Sequence, residues 1–139
     1  MIQFNFEIKF NLENSDKINQ WISDTIVSEG KLEGVINYIF CNDDYLHQIN
    51  VEFLSHDTLT DIISFDYSVG KIVHGDVFIS IERVRENAVL FKSSFIEELH
   101  RVIIHGILHY CGYKDKTNNQ KAEMRLKEEL YLNKLKSIL

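Results

Sequence analysis

The chain has 139 residues, of which 45% are hydrophobic and 26% are charged. This length and this balance predict one folded domain over residues 1–139 and exclude a disordered or fibrous chain. The net charge of -6 argues against a protein that grips nucleic acid through a large basic surface. Apolar runs are only a few residues long, which argues against a membrane-spanning helix and predicts no membrane partner.

The first half of the chain predicts strands that alternate with helices. Residues 2–10 alternate apolar and polar side chains, a period that predicts a half-buried strand. A helix is expected from an N-cap at Ser15 to a stop at Gly30. Residues 34–40 are rich in β-branched and aromatic side chains and predict a second strand, and the next helix opens at Asn42.

The second half predicts a hairpin followed by helices. Residues 61–67 and 76–80 have strand composition and a glycine-containing loop between them. Helical repeats follow at residues 81–92, from a cap at Ser94 to Gly112, and from about 117 to 136. This order predicts an α+β fold, an α/β sandwich in which a mixed four-stranded sheet packs with about five helices. In the last helix we expect Met124, Leu126 and Leu130 to pack in the core.

The helix that ends at Gly112 carries a predicted metal site. His105 and His109 are four residues apart, so they lie one turn apart on one helical face and can reach one ion. Gly112 can take a left-handed turn that reverses the chain and brings Asp115 to the same ion. The pattern predicts a zincin-like metal helix with His105, His109 and Asp115 as ligands. Three ligands leave the fourth tetrahedral position for water, as in catalytic sites.

Nitrogen and oxygen ligands favour one zinc ion per chain and also admit iron, cobalt, nickel or manganese. Cys111 lies about 200° around the helix from His109 and should point away from the ion. His100 is also off the ligand face, which predicts a surface or supporting position. Glu98 is either an acceptor that supports a ligand or an ordinary helix charge. Gly106 stands where the common zinc-protease helix has its general base, which argues against peptidase chemistry.

The segment from residue 105 to 115 resembles the signature of the YbeY family, bacterial ribosomal RNA maturation factors described as zinc-dependent endoribonucleases. Residues 50–53, 57–65 and 75–80 are similar to three further stretches of that family. The resemblance implies a metal-dependent hydrolase domain that cleaves single-stranded ribosomal RNA while the small ribosomal subunit matures. Ribosomal RNA and the small subunit are the implied partners. Two cysteines do not require a bridge, and no export signal is recognisable, so a cytoplasmic location is expected.

This chain departs from the family pattern at two places. Most of the family has His as the third ligand, whereas here the residue is Asp115, preceded by Lys114 instead of Asp. The family's Arg after the first motif is replaced by Leu54, which removes a natural phosphate clamp. Other groups must then neutralise the charge of a phosphodiester. The candidates are His56, Lys114 and Lys116.

The catalytic groups are less defined than the ligands. The resemblance points to Thr60, Asp61 and Ser64, which either line the cleft or cap turns. Residues 114–139 carry seven Lys and Arg against four Asp and Glu, a basic end that either meets phosphates or forms a solvated helix face. An alternative function is a non-catalytic ribosome-assembly factor with a mainly structural metal, which Leu54 and the acidic net charge favour.

Overall fold

The computed structural model describes residues 1–56 and 59–139. Over these residues the chain forms, in order, β1 (Ile2–Phe6), α1 (Ser15–Ser28), β2 (Leu32–Cys41), α2 (Asp43–Leu54), β3 (Ile62–Asp66), β4 (Ile72–Ser80), α3 (Ile81–Leu90), α4 (Phe95–Tyr110) and α5 (Asn118–Lys136). The α+β fold is therefore as predicted. Asp57 and Thr58, which begin one of the family-like segments, lie outside the described residues. Within the described ranges, each helix is too short or too polar to cross a membrane.

The four strands form one mixed sheet with the order β1-β2-β4-β3. β1 and β4 both run parallel to β2, which lies between them, and β3 pairs antiparallel with β4 as the predicted hairpin. Side chains from the central strands, such as Tyr38 and Val77, share one core cluster with Ile103 and Ile107 of α4. Burial of this apolar surface fixes α4 against the sheet.

The middle of α4 approaches the sheet closely because Gly106 has no side chain. A Cβ atom at Gly106 would lie 3.2 Å from the side chains of both Ile62 and Val77. At the end of the helix, the Tyr110 hydroxyl donates a hydrogen bond of 3.0 Å to the backbone carbonyl of Phe65. Gly106, whose missing side chain argued against peptidase chemistry, therefore also allows α4 to pack closely on the sheet.

The first strand is shorter than the predicted range of residues 2–10. Its register with β2 ends where Phe6 lies opposite Phe40, and the Glu7 amide makes a last bond of 2.9 Å to the Phe40 carbonyl. β2 ends one residue later, so the chain beyond Glu7 has no strand to pair with. Phe10 still packs against Phe40, with ring centroids 5.8 Å apart. The apolar alternation therefore persists after the strand has ended.

The helix ends follow the sequence with small corrections. Asn14, in the left-handed conformation, occupies the N-cap position of α1, so Ser15 is its first helical residue and not its cap. Asn42 and Ser94 cap α2 and α4 through their side chains, as predicted. α3 ends before the predicted residue 92, because Lys92 takes a positive φ of 57°.

The prediction for α5 is wrong in part. Met124 is buried, but Leu126 and Leu130 are 71% and 43% exposed. The buried stripe runs instead through Met124, Glu128 and Tyr131, positions spaced by about one helical turn. This rotation of α5 turns a glutamate toward α4, where the predicted metal ligands lie.

Candidate metal centre

The three predicted ligands lie together at the C-terminal end of α4. Nε2 of His105 is 2.9 Å from Nε2 of His109. Oδ2 of Asp115 is 3.3 Å from the first of these nitrogens and 3.2 Å from the second. A tetrahedral zinc ion with bonds of about 2.1 Å separates its ligand atoms by about 3.4 Å. His105, His109 and Asp115 thus form a group that could hold one metal ion.

The reversal that delivers Asp115 depends on Gly112. Its φ of 105° lies in the left-handed region that favours glycine. The Gly112 amide bonds to the His109 carbonyl and the Tyr113 amide bonds to the Leu108 carbonyl, each at 3.0 Å. This pair of bonds is the Schellman motif that ends many helices. It confirms the predicted turn and returns the chain to the ligand face.

Each imidazole is held through its Nδ1 atom. Nδ1 of His105 donates to Oε2 of Glu128 at 2.7 Å, and Nδ1 of His109 donates to the Tyr113 carbonyl at 2.9 Å. Because both acceptors lack hydrogen, each Nδ1 carries a proton, and in the neutral imidazoles that bind metals each Nε2 keeps its lone pair. Two lone pairs and the Asp115 carboxylate therefore face one another without a donor. A shared cation resolves this conflict, so the residues fit a divalent metal ion.

Glu128 is a site residue that the sequence analysis missed. It is only 5% exposed, and besides His105 it accepts a hydrogen bond of 3.1 Å from Arg101. Burial favours the neutral acid, but the hydrogen bonds and charges of His105 and Arg101 lower the pKa of Glu128 below its usual value. The signal in the sequence was the spacing of Glu128 from Met124 and Tyr131, which marks a buried face only once the rotation of α5 is known.

The carboxylates of Glu128 and Asp115, 2.7 and 3.3 Å from His105, create a negative electrostatic potential at its ring. Burial acts to lower the pKa of His105, but the hydrogen bond and charge of Glu128, with the charges of Asp115 and Asp61, raise it above the ordinary value. A histidine in such a potential favours a positive charge near its ring. The same potential favours a bound cation at the donor atoms.

The loop between α4 and Asp115 is anchored by Glu29 at the end of α1. The Tyr113 hydroxyl donates to Glu29 at 2.7 Å, the Tyr131 hydroxyl donates to the same carboxylate, and Lys127 lies 3.4 Å from it. Burial would raise the pKa of Glu29, but these hydroxyl and ammonium groups lower it. The anchor fixes Tyr113, whose carbonyl in turn orients His109.

The predicted cleft residues lie around the start of β3. Thr60 donates from its hydroxyl to the Ile62 carbonyl at 3.4 Å, and the Asp61 carboxylate accepts from Asn87 at 3.4 Å. Ser64 is two residues after Ile62 in β3, on the face that α4 approaches. All three are half-buried. Their role in the cleft stays a prediction.

The predicted phosphate-binding residues are all exposed. His56 follows α2. Lys114 lines a cavity of about 360 Å³ beside the ligand loop, the segment of residues 111–115 that carries Asp115. Lys116 is exposed, and its backbone amide donates a hydrogen bond of 3.1 Å to the side chain of Gln120. These assignments stay predictions, and other basic residues, described below, line the cavity beside His105.

Three other residues of the metal helix lie apart from the donor atoms. Cys111 is not part of the donor group, as expected; it packs against the core, and burial raises the pKa of its thiol to about 11. The surface position considered for His100 is wrong, since it is 7% exposed and lies edge-on to Trp21. Glu98 is buried 3.7 Å from Arg101, so it serves the charged network behind Glu128.

Over most of its length the chain is similar to proteins of one named family. A sequence model of the family described as Endoribonuclease YbeY matches residues 3–136. A relative from Flavobacterium johnsoniae, named Endoribonuclease YbeY, is 61% identical over 129 residues, which cover 93% of each chain. A relative of the same name from Karelsulcia muelleri is 45% identical and covers 98% of this chain and 96% of its own.

A solved structure has the same fold. The solution structure of TM1509 from Thermotoga maritima superimposes with a TM-score of 0.69 at 28% identity, covering 97% of this chain and 89% of the other. The family match extends over nearly the whole chain and includes the segment that carries the donor group. The chain belongs to the YbeY family, whose members are described as endoribonucleases.

Proposed function

We propose that the chain holds one zinc ion through His105, His109 and Asp115 and cleaves single-stranded ribosomal RNA during maturation of the small ribosomal subunit. The observation that carries this proposal is the convergence of three donor atoms, within 4.8 Å of one another, in a chain of an endoribonuclease family. We propose the cytoplasm as the place of this reaction and residues 1–139 as one hydrolase domain.

The chain contributes a preorganised donor set. A zinc ion supplies Lewis acidity and lowers the pKa of water, so that a nucleophile is available near neutral pH. Glu128 and the Tyr113 carbonyl fix the tautomer and rotation of the two imidazoles before any ion arrives. Asp115 adds a negative charge that a third histidine would lack, which makes the site less positive than a three-histidine site.

Asp61 is the proposed proton acceptor of the cleft. Among the three cleft candidates it alone carries a carboxylate, and it is half-buried directly before β3. Thr60 and Ser64 offer hydroxyl groups that can hydrogen-bond a substrate. Proton transfer by such a positioned side chain is a common contribution to hydrolysis.

The test is cleavage of a defined precursor RNA that contains a single-stranded junction. We expect the zinc-loaded chain to cut it, a chelator to abolish the cut, and re-added zinc to restore it. His105→Ala and Asp115→Ala should lose both metal and cleavage, whereas Asp44→Ala, an exposed control on α2, should keep both. Equal cleavage by wild type and Asp115→Ala would defeat the proposal.

A second candidate is a ribosome-assembly factor whose metal is mainly structural. Leu54 in the place of the family's arginine and the net charge of -6 favour it. The same preparations separate the two functions. An assembly factor would bind the RNA or the small subunit without cutting, and chelation would lower its melting temperature without changing any RNA product.

A further inference from the structure

One face of α5 borders the donor group. Lys121, Arg125 and Glu128 occupy positions i, i+4 and i+7 of this helix, so their side chains share a face. The bond of 2.7 Å between Glu128 and His105 fixes that face against the metal centre. A cavity of about 280 Å³ opens at this place, lined by His105, Asp115, Lys121, Met124, Arg125 and Glu128.

The two cations of this face contribute little to the stability of the fold. Lys121 is exposed, and it forms no ion pair with any residue in ranges 1–56 and 59–139. Arg125 has a side chain that is 60% exposed and lies 3.8 Å from Glu128, a loose pair that contributes little to stability. Both side chains are therefore available to a ligand in the cavity.

The charges around the cavity decide which ligand fits. Asp115 and Glu128 contribute two negative charges, and Lys121 and Arg125 contribute two positive charges. A divalent cation at the donor atoms would then leave a surplus of positive charge. Without Lys121 and Arg125 the two carboxylates would cancel that cation, and the cavity would offer no net attraction to an anion.

We propose that Lys121 and Arg125 bind the phosphodiester backbone of single-stranded RNA and position it beside the metal centre, an inference that rests on the proposed function. They supply from α5 the positive charge that Leu54 does not supply from α2. The Arg125 guanidinium can bind phosphate oxygens in a bidentate manner, and Lys121 acts as a point charge one turn away. The basic C-terminal segment, residues 114–139, thus binds RNA through the face of α5 that contacts His105.

The test measures RNA binding separately from cleavage. The probe is a labelled single-stranded 2′-O-methyl RNA, verified as intact after the measurement, and binding to the zinc-loaded chain is followed by fluorescence anisotropy. The test variant carries both Lys121→Gln and Arg125→Gln. The control variant carries both Lys134→Gln and Lys136→Gln, which remove the same charge from the far end of α5. Competition with a chelating dye measures the zinc affinity of each variant and checks that its donor group is intact.

We expect the Lys121 and Arg125 variant to weaken binding about tenfold at about 0.1 M salt, with the salt slope shallower by about 1.4 because two phosphate contacts are lost. The Lys134 and Lys136 variant should stay within about twofold of wild type, since long-range charge effects are screened. Exchange of the two cations, Lys121→Arg with Arg125→Lys, should keep the salt slope of wild type, since both positive charges remain.

The outcomes distinguish a failure of this inference from a failure of the proposed function. Equal weakening by both double variants, or none by either, overturns the inference even if wild type cuts RNA. Binding that depends on Lys121 and Arg125 in a protein that cuts nothing supports the inference and contradicts the nuclease proposal. A zinc-loaded wild type that binds no single-stranded RNA overturns both.

Discussion

Glu128 accepts a hydrogen bond of 2.7 Å from Nδ1 of His105, although the two residues lie on different helices and 23 positions apart. Arg101 holds the other oxygen of the same carboxylate at 3.1 Å. The carboxylate is thus oriented on one side by a guanidinium and orients an imidazole on the other. This relationship makes α5 part of the metal centre, not only of the core.

Replacement of Glu128 by Gln should weaken zinc binding by about 10- to 100-fold, since such supporting carboxylates fix and activate a ligating imidazole. Competition with a chromophoric chelator measures the change. Glu129→Gln is the matched control, because Glu129 also contacts Arg101, at 2.9 Å, but is half exposed and does not touch His105. Unchanged zinc affinity in Glu128→Gln would show that His105 needs no such partner.

Gly112→Ala should destabilise the fold by about 1 to 3 kcal/mol, the usual cost of a side chain in the left-handed region. It should also weaken zinc binding, because the turn at Gly112 brings Asp115 to the two histidines. Gly70→Ala provides a control with a φ of 58° in the β3–β4 connection. Urea denaturation should show similar losses of stability in both variants. Dye competition should show a loss of zinc affinity only in Gly112→Ala.

Glu29→Gln should cost about 1 to 2 kcal/mol of stability near neutral pH, because the half-buried carboxylate accepts hydrogen bonds from Tyr113 and Tyr131. Since the pKa of Glu29 is lowered from 4.5 in the folded chain, this stabilisation is present above that value. It is lost as the pH falls through the folded-state pKa. The difference in unfolding free energy between wild type and variant should therefore shrink in acid.

Urea unfolding of both proteins from pH 7 down to the acid limit of the fold measures that difference. Glu13→Gln, an exposed glutamate near the start of α1, is the matched control and should change stability little at any pH. A Glu29→Gln difference that grows in acid would contradict the assigned direction of the pKa shift.

Both thiols should react slowly in the folded chain. Burial raises the pKa of Cys41 to about 12 and that of Cys111 to about 11, so little thiolate is present near neutral pH. A chromogenic disulfide reagent at pH 8 should therefore label the native protein slowly. In denaturant both cysteines should react at once, because both are free. Rapid labelling of the native protein would mean that one thiol lies in a more open or more positive environment than the structure has.

The sequence alone determined those features that depend on neighbours along the chain. The four-residue spacing of His105 and His109 fixes a shared helical face whatever the rest of the protein does. Gly112 predicted the turn because only a residue without Cβ takes that conformation at little cost. The strands and helices were predictable because the period of apolar residues also depends only on neighbours along the chain. Phe10 is an exception, since the apolar alternation continues to this residue after β1 has ended.

Tertiary structure decided which distant residues complete the site. The rotation of α5 buries Glu128 and exposes Leu126, and the weak apolar periodicity of that helix does not specify this choice. Glu29 meets Tyr113 across 84 positions, through the packing of α1 against the ligand loop. Lys121 lines the cavity beside His105 only because α5 packs against α4. Such contacts depend on how whole helices pack, and no local pattern contains that information.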